Sequence, residues 1–212
     1  MEKQLKLEIL GSERIKILPL LKAFKDDYYL AGGTGLALQI GHRESVDFDF
    51  FALRNYDLSS LNEKIRSIFK NYKITVIQFE TDTYSIILDD EIKLSFFKIK
   101  DMVILPLIQN EWFQLCNAIE IGAMKVAALF RGAYRDYVDI YFILMNNSLE
   151  SILELCNKKY HEFDQALYLK ALLSYDDIEE TPIKYLRGKE KKPKEIFSLI
   201  GEKVKLFLAK AI

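Results

Sequence analysis

The chain has 212 residues, half of them hydrophobic, with 30 Lys and Arg against 31 Asp and Glu, a formal net charge of −1. That length can bury one sizeable core, or a core plus a smaller helical lobe, and the 12 Tyr and 14 Phe exclude a disordered chain. Near-zero net charge excludes a global field toward nucleic acid or membrane, so any such binding has to come from a local patch.

The opening "MEKQLKLEIL" lacks the apolar core of a secretory signal. Residues 12–25 carry Ile15, Leu18, Leu21 and Phe24 at helical spacing, with Pro19 placed to kink or split the helix. "YYLAG" reads as a short buried strand and "TGLALQI" as a short helix with Thr34 as its N-cap. "SVDFDFFAL" reads as a strand. "DLSSLNEKIRSIFKNY" follows as an amphipathic helix with Leu61, Ile65 and Ile68 on one face. Then come three strands, "KITVIQFE", "TYSIILDD" and "EIKLSFFKI". The last two are separated by Asp89 and Asp90, as in a hairpin. This is a mixed α+β pattern and not a regular βαβ repeat.

From Ile119 onward the chain reads as helical. "EIGAMKVAALF", "YRDYVDIYFILM", "SLESILELCNKKY" and "FDQALYLKALLSY" are four helices. "RGKEKKPKE" is an exposed basic linker, and "IFSLIGEKVKLFLAKAI" is a terminal amphipathic helix packed on the core. No apolar run approaches the roughly 20 residues of a membrane span. Cys116, Cys156, His42 and His161 lack zinc-ligand spacing, so the thiols read as buried and reduced. The expectation is a soluble cytoplasmic protein with no membrane partner.

The segment "YYLAGGTGLALQIGHRESVDFDFF" carries the chemistry. Side chains alternate along a strand, so Asp47 and Asp49 point the same way between Phe48, Phe50 and Phe51. Two like charges on a buried strand are costly unless a cation sits between them. Carboxylate oxygens suit Mg²⁺ or Mn²⁺, which keep coordination positions for substrate phosphates. Upstream, Gly32 and Gly33 let backbone approach an anion closely, and the helix opened by Thr34 offers N–H groups and a dipole to phosphate. Each half alone also fits a plain turn or an edge strand; their order together is far more specific.

Gly-Gly-Thr followed by Asp47-Phe48-Asp49-Phe50 resembles the DNA polymerase β-like nucleotidyltransferase superfamily. More narrowly, "GGTGLALQIGHRESVDFDFF" is similar to the AbiEii/AbiGii toxin family of abortive-infection and toxin–antitoxin systems. "EIGAMKVAALFRGAYRDYVDIYFIL" resembles that family's downstream segment, at Lys125, Arg131, Arg135, Asp136 and Asp139. The resemblance implies a polymerase β-like core, a mixed sheet flanked by helices, over residues 1–115, and a helical C-terminal region over 116–212.

The resemblance also implies transfer of a nucleoside monophosphate from an NTP to an RNA (tRNA) or protein acceptor, and a cognate antitoxin. Asp47 and Asp49 would hold Mg²⁺ or Mn²⁺. Gly32, Gly33, Thr34 and Arg43 would bind phosphate, Arg43 alternatively pairing with an aspartate. Lys125 would meet the triphosphate. Asp136 or Asp139 would orient Lys125 or act as base. The plain alternative is an Arg135–Asp139 pair with Asp136 capping its helix.

One position departs from the pattern. Superfamily members often carry a third carboxylate on a later strand, and Ser95 of "EIKLSFF" stands there. Four readings stay open: Asp136 or Asp139 takes over, one tightly held metal suffices, activity is lost and the protein only binds nucleotide or a partner, or Asp89 or Glu91 supplies the group. For an RNA acceptor, "KYLRGKEKKPK" is the one dense basic stretch.

Overall fold

The computed structural model describes residues 4–99, 102–175 and 178–210. Two compact units divide the chain, Met1–Asn117 and Ala118–Ile212.

In the first unit, α1 (Ser12–Leu21) runs through Pro19 and tightens into a 3-10 turn at Lys22–Phe24. Pro19 therefore ends neither turn nor helix at its own position. β1 (Tyr28–Ala31) leads into α2 (Gly32–Ile40), and β2 (Phe48–Ala52) precedes α3 (Leu58–Ile68). Asp57 caps α3, accepting from Ser60 N at 2.8 Å. β3 (Ile74–Glu80), β4 (Thr83–Leu88) and β5 (Ile92–Phe97) form an antiparallel meander. Its second turn holds Asp89 and Asp90 at φ of 50° and 58°, a left-handed region that short polar side chains tolerate.

The unit ends with β6 (Ile108–Gln109) and β7 (Gln114–Leu115), joined by a turn in which Asn110 Oδ1 accepts from Trp112 N and Phe113 N. Neither strand is expected from the sequence, because two residues carry no periodicity. Among the described residues the sheet has seven strands in the order β3-β4-β5-β2-β1-β7-β6. β2 is central. It lies antiparallel to β1 and parallel to β5. Phe48 and Phe50 face the core, where Phe50 stacks on Phe96 at 5.4 Å and Phe24 meets Phe96 at 5.0 Å. Asp49, between the two phenylalanines, points to the opposite face.

The second unit is helical throughout its regular elements: α4 (Ala118–Ala127), a 3-10 turn at Leu129–Arg131, α5 (Tyr134–Leu144), α6 (Leu149–Lys159), α7 (Gln165–Leu173) and α8 (Pro193–Lys210). Ser148 and Asp164 cap α6 and α7. α4 packs on α5 and α6, and α8 on α5 and α7. α8 begins three residues before the expected Ile196. Pro193 at its first position has a fixed φ suited to a helix start, and Glu195 accepts from Lys192 N at 2.9 Å. The last two residues expected in that helix, 211 and 212, lie outside the described residues. Cys116 and Cys156 are both buried and reduced; burial pushes the Cys156 thiol up to about 12. Among the described residues no helix is long and apolar enough to cross a membrane.

Candidate active site

The turn from β1 into α2 is built by two glycines with different neighbours. Gly32 has φ of +64°, which sends the chain from strand directly into helix. A Cβ there would lie 2.6 Å from Asp49 Oδ2, so the missing side chain is the space the carboxylate uses. At Gly33 a Cβ would lie 2.5 Å from Arg43 Nη2 and 3.1 Å from Ser45 Oγ. The Arg43 guanidinium thus rests against the first turn of α2, where the helix presents backbone N–H groups. Arg43 is buried, and its Nη1 donates to the Glu44 carbonyl at 3.0 Å.

Thr34 does not cap the helix. α2 starts two residues earlier, at Gly32, with Ala31 in the cap position and no side-chain cap bond. The positive φ of Gly32 brings the start forward and places Thr34 inside the first turn. There its buried hydroxyl donates to the Asp47 carbonyl and shares a hydrogen bond with Ser45 Oγ at 2.8 Å. Thr34 therefore ties α2 to the segment entering β2.

β2 begins at Phe48, so Asp47 sits one residue ahead of the strand and Asp49 within it; both are half-buried. Asp49 lies opposite Ala31 on β1 and Ser95 on β5. Ser95 thus occupies the cross-strand position beside Asp49. Its buried hydroxyl accepts from Ser85 Oγ at 3.1 Å. Asp89 and Glu91 are engaged elsewhere. Asp89 accepts from Lys73 N, and Glu91 pairs with Arg14 at 3.1 Å.

In the second unit Lys125 is buried on α4. Its Nζ lies 2.7 Å from Asp136 Oδ1 and 2.8 Å from Asp139 Oδ2, both carboxylates on α5 and both fully buried. Residues three apart share a helix face, so one ammonium meets both acids. Arg131 forks onto Asp136 with Nε at 2.6 Å and Nη2 at 2.7 Å. Two cations balance two carboxylates. Asp136 is spent on these contacts; the cap position of α5 is Ala133, without a side-chain bond. A second buried pair, Lys159 with Glu120 at 2.8 Å, ties α6 to α4.

The donor set fits a hard divalent cation. Asp47 and Asp49 offer carboxylate oxygens, and the space at Gly32 holds the Asp49 carboxylate against the turn from β1 into α2. Among the described residues no cluster of three or more His, Cys, Asp or Glu could hold a metal ion. Mg²⁺ is commonly bound by one or two carboxylates plus waters and substrate phosphates, which matches a two-aspartate site.

Sequence reading alone passes over Arg14 and Ser45's bond to Thr34, because both depend on partners far away in the chain. It also misses the buried Lys159–Glu120 pair, which looks like two ordinary charged helix residues. Arg131 is legible as part of a motif, but its fork onto Asp136 is not.

Residues 20–195 match the family described as "Nucleotidyl transferase AbiEii toxin, Type IV TA system". The chain is 32% identical over 164 residues to the uncharacterised protein aq_aa25 of Aquifex aeolicus (strain VF5), covering 73% of this chain and 77% of that one. Two Helicobacter pylori crystal structures share its fold. One, solved as a candidate nucleotidyltransferase, has a TM-score of 0.60 at 17% identity and covers 93% of each chain. The other, JHP933, also has a TM-score of 0.60 at 17% identity, over 95% of this chain and 94% of that one.

Proposed function

Because the chain belongs to the AbiEii family of nucleotidyltransferase toxins of type IV toxin–antitoxin systems, we propose that it moves a nucleoside monophosphate from an NTP to an RNA or protein hydroxyl. Asp47 and Asp49 hold Mg²⁺ or Mn²⁺ in this reading. The observation that carries it is the space at Gly32, which seats the Asp49 carboxylate at the turn where α2 offers its first N–H groups. The carboxylate, carried by β2, lies against the turn whose backbone would bind phosphate, as a metal-bound triphosphate requires.

When bound, the cation neutralises charge building on the triphosphate. The chain's own groups do the rest. The N–H groups of the Gly33–Thr34 turn and the Arg43 guanidinium bind phosphate oxygens. The acceptor oxygen bonds to the α-phosphorus, the bond from that phosphorus to the bridging oxygen breaks, and pyrophosphate leaves. The acceptor's proton passes to water. Within the second unit, Asp136 and Asp139 are assigned to hold the Lys125 ammonium. Both acids are occupied with cations in the structure, which favours an orienting role over that of base.

The reading extends to a cytoplasmic toxin with a cognate antitoxin. For an RNA acceptor it takes the basic stretch 184–194, whose residues 187–190 are exposed. Incubating the protein with each α-labelled NTP, Mg²⁺ and total cellular RNA and protein identifies the acceptor class. If RNA is labelled, neutralising Lys189, Lys191 and Lys192 together should weaken RNA binding; unchanged binding would mean that RNA is held elsewhere.

Ser95 favours a second reading. A neutral hydroxyl beside Asp49 is a poor metal ligand or base. A protein that binds NTP in a Mg²⁺-dependent way and transfers nothing would be a binding member of the family.

A further inference from the structure

Residues 44–47 lie in neither helix nor strand, yet they carry one of the two aspartates read as cation ligands. A carboxylate on a loop binds a metal well only when its supporting contacts fix it. The peptide groups on both sides of Asp47 are held by side chains from elsewhere. Arg14 Nε donates to the Val46 carbonyl at 2.9 Å, and the Thr34 hydroxyl donates to the Asp47 carbonyl. Each peptide group is planar, so pinning the plane before Asp47 and the plane after it sets the φ and ψ between them. The direction of the Asp47 Cα–Cβ bond follows.

We propose that Arg14 and Thr34 are positioning residues that together fix the Asp47 backbone, and so the direction from which its carboxylate reaches the cation. This rests on the reading of Asp47 and Asp49 as the metal carboxylates. Arg14 sits on α1, ahead of the residues matched by the family. Its guanidinium is buried and serves three acceptors: the Val46 carbonyl, Glu91 Oε1 at 3.1 Å and the Glu91 carbonyl at 3.0 Å. A planar fork meets separate acceptors in fixed directions, which a lysine ammonium does not. Glu91 precedes β5, so Arg14 anchors the Asp47 segment to the same strand that brings Ser95 beside Asp49.

The rival explanation is a purely structural Arg14–Glu91 ion pair. A titration of the full chain with Mn²⁺ alone, following the free ion by electron paramagnetic resonance, separates the two. Asp47→Asn defines the signal that belongs to the site. Arg14→Met and Thr34→Val should each weaken Mn²⁺ binding about 10-fold, the lower end for residues supporting a ligand. Glu91→Gln removes the ion pair and keeps the Val46 bond, so it should bind within about twofold of wild type. Arg14→Lys should fall with Arg14→Met. Thr34→Val keeps the side-chain shape, so the test stands even where an Arg14 variant fails to fold. Wild-type affinity in both Thr34→Val and the folded Arg14 variants, or an equal loss in Glu91→Gln, overturns the proposal. Wild-type Mn²⁺ binding that Asp47→Asn leaves intact overturns the reading of the carboxylates itself, and the positioning role with it.

Discussion

Gly32 and Gly33 are adjacent and chemically identical, yet the structure gives them different consequences. Alanine at Gly32 forces a left-handed φ on a residue with a Cβ and drives that Cβ into Asp49. Alanine at Gly33 meets the end of a flexible arginine, which can swing aside. Gly32→Ala should abolish transfer and weaken Mn²⁺ binding by about 10-fold or more. Gly33→Ala should keep metal affinity and raise the KM for NTP, because it disturbs Arg43. Steady-state kinetics with Mn²⁺ titration checks both, and equal effects of the two substitutions would contradict the geometry. At this scale the sequence tells much about type and little about partner. Gly-Gly and Asp-x-Asp are legible as a turn and a pair of neighbouring carboxylates because both features are local. Thr34 is legible as a helix-start residue, but its partner, the Asp47 carbonyl, lies thirteen residues on. Arg14 is passed over because its partners lie 32 and 77 positions away.

Elements are joined by charges that the sequence cannot pair. Asp27, at the entry to β1, takes Lys64 of α3 at 3.0 Å and Arg54 after β2 at 2.8 Å. The Lys64 hydrogen bond, against an opposing effect of burial and with the charges of Lys64 and Arg54 adding, holds the Asp27 carboxyl below its ordinary value. A lowered folded value means that the unfolded chain takes up the proton first as pH falls. The stabilisation is present above the unfolded value, about 4, and is lost as pH drops through the folded one. Asp27→Asn should lower the Tm at pH 7 modestly, since these side chains are partly exposed, and the difference should vanish near pH 2. A gap that persists at low pH would assign the effect to something other than charge. Between α4 and α5 the stakes are higher. Lys125→Met leaves Asp139 buried beside Asp136 without the ammonium both of them meet. Removing one partner of such a pair costs about 3–5 kcal/mol, readable by urea unfolding. A loss below about 1 kcal/mol would mean that the cluster relaxes to water. The β4–β5 hairpin is legible from its alternation and acidic turn, whereas β6 and β7 are too short to announce themselves.

Over the whole chain, the change from a sheet-bearing first unit to a helical second one follows the change in hydrophobic period near residue 119. The sheet order does not follow from the sequence. β2 pairs with β5 across an intervening helix and two strands, and only that pairing puts Ser95 beside Asp49. Long-range register is set by packing that no short window contains. The proposed transfer by this nucleotidyltransferase runs through Asp49 and a divalent cation. The most direct measurement compares ATP, GTP, CTP and UTP, each labelled at the α- or γ-phosphate, with wild-type and Asp49→Asn protein, with Mg²⁺ or EDTA. Only α-label should reach the acceptor, with pyrophosphate released, and both EDTA and Asp49→Asn should abolish it. Transfer of γ-label, or α-label transfer that survives in Asp49→Asn, would contradict that route.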